Sequence, residues 1–180
     1  MTPGEPLIRW EWIASHLGDV WQRLVEHVTL AALALAIGFV ISFALALLIR
    51  RYARLHDPIT WSTGALYTIP SLALFAFLVP ITGLSLLTAE IGLVSYTLLI
   101  LTRSIVGGLR AAAISTIGLV TVTALIGQGG FGFFILDGIQ RFFSTPLLVG
   151  AVLSVALGAA ADAALVLLQR RLAPWTAQRT

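Results

Sequence analysis

The chain contains no cysteine and no lysine, and only 11% of its 180 residues are charged. Without cysteine there are no disulfides, no structural thiolate metal sites and no thiol catalysis. His16, His27 and His56 are isolated from one another and do not make a metal site. All 11 basic residues are arginine, placed mostly at the ends of apolar runs and not interleaved with aromatics. That pattern excludes a nucleic-acid surface and reads instead as orientation in a membrane. What the chain has in quantity is apolar: 58% of residues are hydrophobic and the mean hydropathy is +0.97. This composition lies outside the range of soluble domains and predicts one all-α integral membrane domain.

Residues 1–27 carry no basic n-region or cleavage pattern, so a removable signal peptide is not expected. Within them Trp10, Ile13, Leu17, Val20, Trp21, Leu24 and Val25 recur near helical spacing opposite Glu11, His16, Asp19 and Arg23. This predicts an extracytoplasmic amphipathic lead-in lying on the membrane surface. Membrane spans are then expected at about 28–49, 59–79, 87–101, 111–126 and 146–168, followed by a tail at 169–180. The first stops at Arg50 and Arg51; the second ends in the turn signal Pro80-Ile81-Thr82-Gly83. Five spans put Arg50, Arg51, Arg54, Arg103, Arg110, Arg170, Arg171 and Arg179 on one side, against Arg9, Arg23 and Arg141. The excess of arginine predicts an outside N-terminus and a cytoplasmic C-terminus.

Inside the second span stands Pro70, flanked by the hydroxyls of Thr68 and Ser71. Proline removes a backbone donor and frees a carbonyl that lipid cannot satisfy, so this helix faces protein or water. Two readings stand here, a broken helix that lines a pathway and a plain structural kink. Asp162 lies inside the last span about two turns before Arg170, where a carboxylate is a functional candidate by default and belongs on the bundle side. A polar tie to a neighbouring helix is expected, within the small residues Gly158 to Ala164. Glu90 is expected at the interface rather than buried.

Several stretches together resemble the permease subunits of binding-protein-dependent ABC importers, specifically the small glycine betaine, carnitine and choline (osmoprotectant) permeases. They are Tyr67-Thr68-Ile69-Pro70-Ser71-Leu72-Ala73-Leu74, then Ser95-Tyr96-Thr97-Leu98-Leu99 leading to Thr102-Arg103. Ile117-Gly118, Ala124-Leu125-Ile126-Gly127-Gln128-Gly129-Gly130-Phe131-Gly132 and Gln169-Arg170-Arg171-Leu172 follow in the same order. The resemblance implies a type I ABC importer transmembrane domain in the bacterial plasma membrane, paired with a second permease subunit, identical or paralogous. It implies cytoplasmic ATPase subunits that bind ATP and Mg, and an extracytoplasmic solute-binding protein. This chain itself is then no enzyme and holds no cofactor or metal; it also lacks the Lys-Ser/Thr of a phosphate loop.

A solute of this class needs hydroxyls and aromatic faces that hold charge only in passing. Tyr67, Thr68, Pro70, Ser71, Ser95, Tyr96, Thr97, Ser115 and Thr116 are the candidate translocation pathway. For each hydroxyl the competing reading is a bond to its own helix backbone or to a neighbouring helix. Gly127, Gln128, Gly129 and Gly130 form a flexible turn, an outer gate or a binding-protein docking surface alongside a plain interhelical turn. Phe131, Phe133, Phe134 and Ile135 dip back into the interface, with Arg141, Phe142 and Phe143 as anchors.

The resemblance has one gap. Family members carry a long cytoplasmic loop with a Glu-Ala-Ala segment that docks on the ATPase, whereas here Thr102-Arg103-Ser104-Ile105-Val106-Gly107-Gly108-Leu109-Arg110 joins two spans directly. Arg103, Gly107, Gly108 and Arg110 mark this ATPase-coupling region, and Gly107-Gly108 argues against a helix there. Additional residues are expected at this junction in the natural protein. The rival class is a small intramembrane enzyme or membrane scaffold centred on Asp162, which needs convergent groups at one depth.

Overall fold

The computed structural model describes residues 6–103 and 105–172, and these are helical with short turns. Helix α1 (Trp10–Ser15) is one and a half turns long and leads at His16 into α2 (Leu17–Arg51), 35 residues without a break. No helix break falls at residue 27, the boundary expected between lead-in and first span. A 3₁₀ turn (Ala53–Leu55) connects to α3 (His56–Thr68) and α4 (Ser71–Thr82), which meet at Ile69-Pro70 with a bend of 93°. The turn expected at 80–83 begins only at Gly83, with φ +72; Pro80 lies inside α4.

Helix α5 (Leu86–Arg103) is followed after one residue by α6 (Ile105–Val120), which continues as a 3₁₀ segment (Thr121–Ile126). The glycine pair Gly107-Gly108 did not prevent this helix, since apolar neighbours extend it on both sides. Helix α7 (Gly132–Gln140) is short, and α8 (Ser144–Leu172) runs 29 residues. Residues 173–180 of the expected tail lie outside the described residues. Among the described residues three helices are long and apolar enough to cross a membrane, and the bent α3–α4 pair makes a fourth as one broken span. Helix α5 is a shorter apolar helix.

The core forms where α2, α5 and α6 meet, with Leu30, Ala31, Ala34, Ala89, Leu93, Ile117 and Val120 at its centre and Phe75 of α4 closing one side. Small residues let these helices approach closely: a Cβ on Gly38 would run into Thr97, and one on Gly92 into the Phe75 ring. Gly38 meets Thr97, and the Ser42 and Thr102 hydroxyls lie 3.5 Å apart, so α2 and α5 run in parallel. The tight α5–α6 connection makes α6 antiparallel to both, and α8 runs antiparallel to α6, with Arg110 against Asp162 and Ile117 against Gly158. One end of the bundle therefore gathers Arg50, Arg51, Arg103, Arg110, Arg170 and Arg171 along the backbone.

Candidate functional site

Ile69 is extended (φ −68, ψ 125), so its carbonyl leaves the helical ladder. The Tyr96 hydroxyl of α5 donates to that carbonyl. Tyr96 meets Tyr67 edge to face at 5.7 Å between ring centroids. A side chain from a neighbouring helix thus supplies the partner that lipid cannot. Tyr67, Thr68 and Pro70 are exposed, and Ser71 is half-buried. Tyr67 and Thr68 open onto a cleft of about 720 Å³ with His56, Asp57, Trp61 and Leu99.

The structure brings Tyr67, Thr68, Pro70, Ser71 and Tyr96 to one place and separates the other candidates. Thr97 is buried in the α2–α5 contact, its hydroxyl donating to Val94 O at 2.8 Å. Thr68 and Ser95 likewise donate along their own helices, to Ala65 O and Ile91 O, each at 2.7 Å. Ser115 is half-buried on α6, and Thr116 beside it is buried with its hydroxyl unpartnered.

The glycine turn after α6 is not loose. Gly127, Gly129 and Gly130 take φ values of +81, +134 and +48, open to glycine and strained for other residues. Gly129 N–H donates to Glu26 Oε1 at 3.2 Å, and Phe131 N–H donates to His27 Nδ1 at 3.3 Å. With Nδ1 accepting, Nε2 carries the proton and donates to Ile117 O at 2.9 Å. A Cβ on Gly130 would collide with His27 and the Arg23 carbonyl. Arg23 pairs with Glu26 at 2.8 Å and covers the Phe133 ring at 3.9 Å. Beyond this turn Phe131 and Phe134 are buried, and Trp12 meets Phe134 and Phe143 edge to face. Arg141 pairs with Asp137 at 2.8 Å, and its neighbour Phe142 is fully on the surface at 81% exposure.

Arg103, Gly107 and Gly108 sit where α5 ends and α6 begins. Arg110, in the second turn of α6, grips Asp162 of α8 with both arms of its guanidinium, Nε to Oδ1 at 2.8 Å and an Nη to Oδ2 at 2.9 Å. Such a fork-to-fork pair fixes direction as well as distance. Glu90 departs from expectation: it is only 6% exposed, and neither carboxylate oxygen has a hydrogen-bond partner. It sits one residue after Ala89 on the part of α5 that packs into the core, so helix phase placed it inside although its sequence position is near a span end. No group of three or more His, Cys, Asp or Glu able to hold a metal occurs among the described residues.

Sequence reasoning missed His27 and Glu26 as the clasp of the glycine turn, and Arg110 as the partner of Asp162. His27 carried one signal, its place at the head of a long uncharged run.

No protein-family model matches the chain, and no solved structure matches it. Curated proteins do. The chain is 23% identical to the choline transport system permease protein OpuBB of Bacillus subtilis over 207 aligned positions, 94% of this chain and 95% of the relative. It is 28% identical to the osmoprotectant import permease protein OsmW of Salmonella typhimurium, over 91% of this chain and 96% of that protein. It is also 26% identical to the carnitine transport permease protein OpuCB of Listeria monocytogenes, over 88% of each. The 207 positions aligned with OpuBB exceed the 180 residues of this chain, so that relative holds residues without a counterpart here. The resemblance read from the motifs is borne out: along about nine-tenths of its length the chain is similar to permeases named for choline, carnitine and osmoprotectant transport.

Proposed function

We propose that the chain is the pathway-forming permease subunit of an ATP-driven, binding-protein-dependent importer of small quaternary ammonium osmoprotectants. The observation that carries this reading is the near-full-length similarity to permeases named for choline, carnitine and osmoprotectants. The cleft beside the broken α3–α4 helix, lined by Trp61, Tyr67 and the Thr68 hydroxyl with Tyr96 buried behind Tyr67, gives such a solute aromatic faces and a weak polar contact. The chain crosses the bacterial plasma membrane five times, through α2, the α3–α4 pair, α5, α6 and α8. The arginine-rich end is cytoplasmic and the glycine turn extracytoplasmic. A second permease subunit completes the pathway, ATP and Mg are bound by partner ATPases, and a solute-binding protein delivers at the outer end. We place the residues that this chain lacks relative to OpuBB between Arg103 and Arg110, and the docking of the ATPase with them.

The test is uptake of labelled glycine betaine, choline and carnitine by cells with and without the natural gene for this chain. The expected result is energy-dependent uptake of at least one solute that disappears with the gene. Equal uptake of all three in both strains overturns the reading. The intact mass of the natural subunit tests the junction separately, and a mass equal to these 180 residues removes that part.

A further inference from the structure

We infer that the Arg110–Asp162 ion pair is a positioning link that passes a displacement of the first turns of α6 on to α8. The inference rests on the importer reading for what moves α6, and on the structure for how α8 follows. Helix α8 is held firmly at one end. There a Cβ on Gly138 would press on Leu147, and a Cβ on Gly150 would press on Phe131 O and Ile135, so α7 and α8 touch backbone to backbone. Further along, from Ala151 to Gln169, no residue of α8 is buried.

Between α6 and this part of α8 lies a cleft of about 590 Å³, lined among others by Ile114, Gly118, Val155, Gly158 and Ala159. A Cβ on Gly118 would meet nothing within 4 Å, and one on Gly158 would come only within 3.9 Å of Ile117. Apolar packing is thin on the cleft face, where only small residues meet, while Leu157 and Ala161 of α8 pack against the core; neither contact has the directionality of an ion pair. Asp162 lines the far end of the cleft and is gripped by Arg110. The second half of α8 is thus held at a firm outer anchor, by Leu157 and Ala161 against the core, and by a two-armed ionic tie at the end of an open cleft.

The two charged side chains keep 42% and 30% of their surface accessible. A pair half open inside an apolar span faces water or protein, not lipid. Arg110 lies in the second turn of α6, at the end of the bundle where α6 begins. A push on the first turn of α6 reaches Arg110 about one helical turn later, and the fork geometry carries it across to Asp162. The pair contacts no solute in this role; it positions α8.

The test uses the absence of cysteine from the chain. Arg110 and Asp162 are both replaced by cysteine in the natural complex with its ATPase and binding protein. The complex is reconstituted in liposomes, and uptake of labelled glycine betaine is measured per ATP hydrolysed. The pair is bridged with a reducible bifunctional thiosulfonate, then released with dithiothreitol in the same sample. Uptake per ATP is expected to fall about tenfold when the bridge is absent and to recover when it is present, the span seen for residues that carry coupling. The exchange variant Arg110→Asp with Asp162→Arg is expected to recover part of the ratio that Asp162→Leu loses. An unbridged variant with the wild-type ratio, or a bridged one that stays uncoupled, overturns the inference while leaving the importer reading intact. A wild-type complex that transports none of the proposed solutes overturns both.

Discussion

Two places in this molecule interrupt the helical backbone, and their surroundings are opposite. At Gly127–Gly130 the chain turns inside the bundle: Gly129 and Gly130 are buried, and backbone N–H groups are met by Glu26 and His27 of α2. At Ile69-Pro70 the chain turns near the surface, with exposed residues on both sides and one hydroxyl, from Tyr96, reaching across. The first break is over-determined and behaves as part of the core. The second leaves its backbone with few partners, which is the condition for a segment that moves at modest cost.

The largest effect that would test this contrast is at Gly130. Gly130→Ala adds a Cβ where His27 and the Arg23 carbonyl already sit, at φ +48. Overpacking together with left-handed strain is expected to cost about 2–4 kcal/mol, read as a lowered unfolding temperature in detergent. Next is His27→Leu, which strands Ile117 O and Phe131 N–H in the interior. A loss of about 1–3 kcal/mol is expected. A stability equal to wild type in either variant would mean that the glycine turn is not clasped.

Tyr96→Phe removes only the donor to Ile69 O and keeps the ring against Tyr67. A cost of about 0.5–1.5 kcal/mol is expected, in the range for one interhelical hydrogen bond in a membrane. The uptake rate should change by a larger factor than the stability does. A variant that loses stability while transporting normally would make the Pro70 break a structural kink. The smallest perturbation is Thr68→Cys or Ser71→Cys, expected to fold as wild type and to react with polar thiol reagents at a rate that depends on added solute. Equal and solute-independent protection at both positions would sharpen the contrast in the other direction, with both breaks structural.

The long apolar runs of α2, α6 and α8 were legible because length and composition alone separate them from soluble helices. The break at Pro70 was legible from proline chemistry, but its angle was not, since a missing donor says where a helix gives way and not how far. Pro80-Ile81-Thr82-Gly83 misled: only Gly83 takes the positive φ that ends α4, and Pro80 is carried inside the helix. Glu90 misled because depth along a span and helical phase are independent, and only phase decides which face is buried. Asp162 stood out as a carboxylate deep in a long apolar run, yet its partner lies 52 residues away, beyond any local pattern. The clasp of His27 on Phe131 spans 104 residues and depends equally on tertiary packing.

The right-angle meeting of α3 and α4 also acts as a knee. With 13 and 12 residues in its two limbs, each rising ~1.5 Å per residue, the pair measures roughly 27 Å from end to end when bent and roughly 38 Å if straightened. Any change of angle at Ile69-Pro70 therefore becomes a change of length, pushing His56 and Thr82 apart or drawing them together. Helix α5 packs against both limbs, so a change of angle at those two residues is felt along α5.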